Sequence, residues 1–396
     1  MRLVIAGGGF AGFWAAAAAA RLRRDVPSLA PLEIVLISRD DQLVIRPRLY
    51  EPDPTSMAVP LIPRLKAIGV GFERGEITSI DIAGTEVRLA TSSISYDRLV
   101  LATGSQVARP TGAAGACGFD IDTLAGAAEL DRHLHELAAR PESEGRWTVV
   151  VAGGGFTGIE LATALPQRLG EKSRVIIIDT TDRIGASLGD GPGAAIREAL
   201  HAAGIEERTG VTITSADSAG VMLSTGERIA CQTLVWTTGM RASPLAAAIS
   251  TRTDVLGRIA VTPELRVTGA YHVFAAGDVA HASADDGHAI LQSCQHAQVT
   301  GRFAGYNAVA DLAALPLQRY RQPVYTTCLD LGASGAVLTT GWDRTVEATG
   351  EVAKSIKRRI NAQLIYPPAE GEAILAAASP SVMDEAMFRK RILNVA

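Results

Sequence analysis

Two short glycine-rich segments carry the residue spacing with the clearest chemical meaning. Gly7-Gly8-Gly9-Phe10-Ala11-Gly12 and Gly153-Gly154-Gly155-Phe156-Thr157-Gly158 both follow the pattern G-x-G-x-x-G. A β-rich run precedes each, Arg2 to Ala6 in one case and Trp147 to Ala152 in the other, and a helical pattern follows. In that setting the first glycine permits a tight turn and the second lets the backbone approach a pyrophosphate. The third lets helix and strand pack closely. The helix N-terminus then offers N–H donors and the positive end of its dipole to the phosphates. One such loop in a chain rich in alanine and glycine carries little weight. Two in the same setting point to internal duplication of a dinucleotide-binding unit.

A nucleotide-binding unit of this kind places an acid at the end of its next strand, where it grips the ribose. After the second loop, the run Arg174 to Ile178 ends in Asp179. A carboxylate there accepts hydrogen bonds from a free 2′-hydroxyl and repels a 2′-phosphate, which favours NADH over NADPH. After the first loop, the run Leu32 to Ile37 ends in Ser38, followed by Arg39. Serine offers no charge-assisted bond, so Ser38 or Arg39 is expected beside the first adenosine.

Composition bounds the alternatives. The 396 residues, 47% hydrophobic and 20% charged, fit a soluble chain of two or three domains. A net charge of −4 and 5% aromatic residues leave neither a basic track nor stacking platforms for nucleic acid. Cys117, Cys231, Cys294 and Cys328 form no close pair. Neither a disulfide framework nor a metal site is expected, and the pattern fits a reducing cytoplasm. The unbroken apolar run Leu3 to Ala20 has the length of a membrane span. Its glycines and alanines fit a strand, a turn and a small-residue helix better, because they drive insertion poorly.

Three further motifs resemble the FAD-dependent pyridine nucleotide–disulfide oxidoreductase superfamily, in which the second nucleotide fold is inserted in the first. Tyr96 to Ser105, containing Ala102-Thr103-Gly104, is similar to the segment leaving the FAD domain. Val235 to Pro244, containing Gly239, is similar to its counterpart leaving the NAD domain. Val273 to Asp278 is similar to the segment whose Gly277-Asp278 meets the flavin ribityl chain. Within the superfamily the chain resembles type II NADH dehydrogenases, single-chain NADH:quinone oxidoreductases. The segments Arg46-Pro47-Arg48-Leu49-Tyr50-Glu51, Gly155 to Glu160, and Lys357 to Pro368 carry that resemblance, with the lack of a redox cysteine pair. Where that family has Ala-Gln-x-Ala-x-Gln-Gln beside the quinone, this chain reads Cys294-Gln295-His296-Ala297-Gln298-Val299-Thr300. Gln295 and Ala297 keep the pattern; the paired glutamines do not.

The resemblance implies hydride transfer from NADH to FAD and onward to a quinone-like or other small-molecule acceptor. It places Glu160 near the nicotinamide, where a carboxylate can relay a proton. The same residue also suits a first helical turn. His296 can protonate an acceptor near neutral pH, or serve the core. A helix starting near Ile290 is expected to aim N–H groups at the flavin pyrimidine. Tyr50 and Tyr366 line an acceptor pocket or pack the core. Asp384 to Val395 reads as a basic amphipathic helix, packed on a domain or lying on a membrane surface. A homodimer, and peripheral contact with the inner face of the cell membrane, are compatible with this reading.

The expected architecture is α/β. It has two Rossmann-like, glutathione-reductase-type units, the second inserted in the first, and a C-terminal α+β domain. The FAD-binding domain takes residues 1–112 and 251–314, the NAD(H)-binding domain 113–250, and the C-terminal domain 315–396. Strands between Gly71 and Leu101 suggest an antiparallel excursion. Competing functions on this fold are sulfide or thiol oxidation, for which Cys117 and Cys328 lie in suitable regions, tailoring of a secondary metabolite, and redox sensing.

Overall fold

The β-branched runs before the glycine loops become the middle strands of two parallel sheets. In the first, the order is Val273–Ala275, Arg98–Leu101, Arg2–Ala6, Glu33–Ser38, Gly71–Arg74. In the second it is Phe119–Asp120, Thr233–Trp236, Thr148–Ala152, Arg174–Ile178, Glu206–Arg208. Strands covered on both faces need continuous apolar runs, and Leu3 to Ala6 and Val149 to Ala152 are buried throughout. The chain leaves the first sheet after Leu101, builds the second, and returns at Val273. The second unit is therefore inserted in the first, as expected. The structure, a computed structural model, describes residues 1–112, 115, 117–249, 252–382, 384 and 392. The helix expected from Asp384 to Val395 lies outside the described residues except for its Asp384 and Ile392.

Each unit carries a three-stranded antiparallel excursion, Ile77–Asp81, Glu86–Leu89 and Ser93–Ser95 in one, Ile213–Asp217, Gly220–Leu223 and Arg228–Ala230 in the other. Gly71–Arg74, expected within the first excursion, instead extends the parallel sheet. The short helix Leu61–Ala67, which buries Leu61 and Leu65, makes the crossover that returns the chain parallel to Glu33–Ser38.

The alanine run is a core helix. In Phe10–Asp25 every residue from Phe10 to Ala20 is buried, against the first sheet on one side and helix Cys294–Leu312 on the other. Backbones approach closely where the two helices cross. A Cβ on Gly301 would stand 2.3 Å from the Ala11 carbonyl oxygen, and one on Gly305 2.0 Å from that of Ala15. Among the described residues no helix is long and apolar enough to cross a membrane. Helix Cys294–Leu312 starts later than the Ile290 expected, because the Ser293 hydroxyl caps it by accepting from the His296 N–H at 3.3 Å.

After residue 325, strands Thr326–Asp330, Ala336–Thr340 and Thr345–Thr349 form an antiparallel sheet. Helix Gly350–Arg359 follows and widens into a π-turn over Ile360–Leu364. This sheet docks on helix Phe156–Leu169 at Gly332, where a Cβ would lie 2.1 Å from the Thr163 carbonyl oxygen.

The helix crossing makes a signed prediction. On an isolated helix Gly305→Ala gains about 1 kcal/mol of propensity. Here the added methyl meets backbone, and overpacking costs about 1–3 kcal/mol. The denaturation midpoint of Gly305→Ala is therefore expected to fall; a rise shows that the helices do not cross this closely.

Candidate functional site

Both glycine loops open on one cleft of about 1400 Å³. They are conformational twins, with φ of +116° at Gly7 and +117° at Gly153, a region costly for any other residue. At Gly12 and Gly158 a Cβ would stand 1.8 Å from the carbonyl oxygens of Gly7 and Gly153 respectively. Gly9 and Gly155 differ from the other two. Nothing lies within 4 Å of a Cβ at Gly9, and only the Ser187 Oγ, at 4.0 Å, near one at Gly155. Both line the cleft, and both open helices with no side-chain cap. First-turn N–H groups thus face open space, the arrangement a pyrophosphate needs.

The exit segments close behind the loops. A Cβ on Gly7 would meet the Ala102 carbonyl at 2.3 Å, and one on Gly153 the Thr237 carbonyl at 2.4 Å. Ala102, Gly104 and Gly239 line the cleft, and the Thr103 hydroxyl is buried with no partner among the described residues. Asp179 also lines the cleft. Its Oδ2 accepts from the Gly154 N–H at 2.5 Å, and its Oδ1 from the Thr181 N–H and Oγ1 at 2.8 and 2.7 Å. Ser38 takes the corresponding place in the first unit, its Oγ 2.6 Å from where a Gly8 Cβ would be. Ser38 and Arg39 do not line the cleft; Arg39 is exposed beside Asp40.

Asp278 is reached from several elements. Its Oδ2 accepts from the Ser105 hydroxyl at 2.6 Å, with Arg46 Nη1 at 3.6 Å. Arg46 also pairs with Asp122, whose Oδ2 accepts from the Val107 N–H at 2.9 Å. Arg46 and Asp122 face the cleft beside Asp278, and sequence reasoning did not single out this ion pair. Gly277 donates its N–H to the Thr300 Oγ1 at 2.9 Å, while that hydroxyl donates to the His296 carbonyl at 2.7 Å. Thr300 is thus a fully buried tie between the Gly-Asp turn and the helix. Gln295, Ala297 and Val299 line the cleft, and Gln295 Oε1 accepts from the Thr326 N–H at 3.3 Å.

Glu160, 2% exposed, meets Lys357, 4% exposed, with Nζ 2.7 Å from Oε1. The Asp330 N–H donates to the same Oε1 at 2.9 Å. Burial pushes the Glu160 carboxyl up to about 7, and Lys357 holds it from rising further. The Glu160 charge raises Lys357 against the lowering effect of burial, so the ammonium keeps its proton. Beside the pair, Asp330 accepts from Lys354 Nζ at 2.5 Å and from the Tyr50 hydroxyl at 3.1 Å. Tyr366 faces the cleft and accepts from Arg48 Nη1 at 2.7 Å. Sequence reasoning found Glu160 but not its partners. The available signal was general: a buried carboxylate needs a cation.

His296 is wholly buried and does not line the cleft. Its ring stacks on Tyr325 at 4.7 Å, and burial pushes it down to about 4, so it is neutral at physiological pH. Cys294 and Cys328 line the cleft and Cys117 does not. Burial pushes the Cys294 and Cys328 thiols up to about 11 and 12, which keeps them protonated and poorly nucleophilic.

Removing one partner of a buried ion pair leaves an uncompensated charge and costs about 3–5 kcal/mol. Lys357→Met is expected to lose stability in that range at pH 8, where Glu160 is ionised. The loss is expected to shrink by pH 5, where Glu160 is protonated. Equal losses at both pH values in denaturant titrations would show that Lys357 does not act through the Glu160 charge.

Known proteins match this arrangement. The pyridine nucleotide-disulphide oxidoreductase family model covers residues 1–301. An NADH dehydrogenase-like protein of Mycobacterium tuberculosis is 45% identical over 395 residues, covering 96% of this chain and 98% of its own. A demethylphylloquinone reductase of Synechocystis is 31% identical over 85% of this chain and 86% of its own. The solved NDH2 of Plasmodium falciparum, in complex with NADH, shares the fold at a TM-score of 0.76. It has 12% identity, with 98% of each chain covered. The chain belongs to the pyridine nucleotide-disulphide oxidoreductase family.

Proposed function

We propose that the chain oxidises NADH through bound FAD and reduces a quinone-type acceptor. One observation carries this reading: two uncapped glycine-loop helices face a single cleft that Asp179 and the Asp278 cluster both line. The Mycobacterium and Synechocystis relatives, named for NADH dehydrogenase and quinone reductase activity, support the donor and the acceptor class. The domains proposed are 1–112 with 251–314 for FAD, 113–250 for NADH, and 315–396 as the C-terminal part.

FAD, when bound, supplies a two-electron acceptor that can hand electrons to a second substrate. The free face of Gly9 and the first-turn N–H groups after it would hold its pyrophosphate. Thr103, Ser105 and Asp278 would hold its polyol, the orphaned Thr103 hydroxyl gaining a partner there. Gly155 and Asp179 would hold NADH in the same way. Reducing a quinone to a quinol with one hydride from NADH consumes one proton. Glu160 lines the cleft and, with its carboxyl pushed up to about 7 by burial, can exchange a proton near neutral pH. Its Oε1 takes both donors, Lys357 and the Asp330 N–H, so Oε2 is the oxygen to carry and release that proton. Lys357 orients it.

Two variants test the assignment. Because Glu160 is protonated below about 7, quinone reduction is expected to fall as pH rises through that value. Glu160→Gln is expected to flatten this profile and lower quinone turnover by about 100-fold, while NADH still bleaches the flavin. A profile unchanged in Glu160→Gln removes the carboxyl from the proton path. Asp179→Ala is expected to weaken NADH binding by about 1–3 kcal/mol and to narrow the preference over NADPH. If the wild-type protein prefers NADPH, or no quinone serves as acceptor, the corresponding half of the proposal fails.

A further inference from the structure

Arg344 is a cation without a counter-ion. It is 9% exposed, its guanidinium lies over the Tyr325 ring at 4.7 Å, and its Nη1 has no hydrogen-bond partner among the described residues. No carboxylate of the described residues pairs with it. Burying an unpaired charge is expensive, and native proteins supply the missing ion from a side chain or a ligand.

Its surroundings repeat the deficit. Trp342 Nε1, His296 Nε2 and Thr326 Oγ1 are also buried without partners. The indole nitrogen can only donate. The Leu291 N–H points at His296 Nδ1 at 3.3 Å, which makes Nδ1 the acceptor and puts the proton of the neutral ring on Nε2. Buried polar atoms are rarely left unpaired, yet here one guanidinium nitrogen, two N–H donors and a hydroxyl lack partners among the described residues, and the hydrogen bond that Arg344 does make is with the neutral Tyr325 side chain. The rings of His296, Tyr325 and Trp342 are stacked within 15° of parallel, with centroids 4.7 to 6.0 Å apart, and His288 stacks on Trp342 at 4.5 Å, so the cluster is a packed stack that holds the donors in place. Tyr325, Thr326 and Arg344 open onto the cleft.

The backbone holds Arg344 in place at some strain. Its φ is +55°, the left-handed region, and Gly191 of the inserted unit packs against its carbonyl, where a Cβ would come within 1.9 Å.

We propose that Arg344, Trp342, His296 and Thr326 form a subsite off the cleft that binds a carboxylate. Positive charge and unpartnered donors match such a group on both counts. A buried water would answer some of the donors but not the charge. The subsite uses none of the groups assigned to FAD, NADH or the transferred proton, so it stands apart from the proposed reaction.

Benzoate is the probe, titrated calorimetrically into the FAD-loaded protein without NADH. Saturable one-to-one binding is expected, with benzamide, its uncharged analogue, at least about tenfold weaker. Trp342→Phe keeps the ring and drops the N–H, and is expected to weaken benzoate about tenfold; Arg344→Gln is expected to abolish binding. Unchanged flavin absorbance and unchanged NADH–ferricyanide turnover in Trp342→Phe establish that this variant is folded. No saturable binding overturns the subsite, and the donors then serve water. Equal affinity for benzamide, or benzoate binding that both variants leave intact, overturns it as well.

Discussion

A helix that starts at an uncapped glycine leaves its first-turn N–H groups without partners, and this fold is organised around placing two such ends on one cleft. Open space above Gly9 and Gly155 requires everything behind them to be small and close. Hence the carbonyl contacts at Gly12 and Gly158, and hence the alanine-rich helix Phe10–Asp25 sandwiched between a sheet and helix Cys294–Leu312. The crossing at Gly301 and Gly305 follows from the same demand. A larger residue at Ala11 or Ala15 would push away the helix whose N-terminal turn carries Gln295 and Ala297 into the cleft. The composition that resembles a membrane span is therefore the cost of close packing around a phosphate-sized opening.

Features with a local signature were legible in the sequence. The loops, the strands before them and Asp179 follow from short-range spacing, while the insertion of one unit in the other was implied by the family resemblance. What was not legible lies in pairings between distant segments. Lys357 belongs to the run Lys357-Arg358-Arg359, which reads as a solvated basic face, and Arg358 does pair at the surface with Glu351. Only the docking of the C-terminal sheet at Gly332 turns Lys357 inward to Glu160. Thr300 was legible only as a missing glutamine; its hydroxyl proves to be a tie that needs the folded Gly277 turn to be seen. His296 shows the opposite error of scale. A histidine on a helix near a cofactor suggests proton transfer, but the Tyr325 and Trp342 rings that enclose it come from the far end of the chain.

Buried charge is handled in two ways around the cleft. Near Glu160 it is paired within the protein: two lysines face two carboxylates, and backbone N–H groups take up remaining lone pairs. Such a network balances desolvation with partners and leaves one carboxyl able to titrate near neutrality. Around Arg344 the protein supplies donors and withholds the acceptor. The first arrangement suits a proton that comes and goes, because the Lys357 ammonium and the Asp330 N–H stay on Oε1 and leave Oε2 to take up or release it. The second suits a ligand, because nothing among the described residues completes it.

The duplicated units also diverge where their ligands differ. Ser38 and Asp179 occupy equivalent places against Gly8 and Gly154, yet only Asp179 carries charge. Its two oxygens are oriented by Gly154 and Thr181, and Oδ2, which accepts only from the Gly154 N–H, retains a lone pair. The arginine nearest in sequence, Arg183, pairs with Asp190 at 2.6 Å and does not neutralise it. Under the proposed function, a 2′-phosphate would meet an oriented, uncompensated carboxylate, so the preference proposed at this end would come from repulsion as much as from attraction. A neutral serine in the first unit has no such effect.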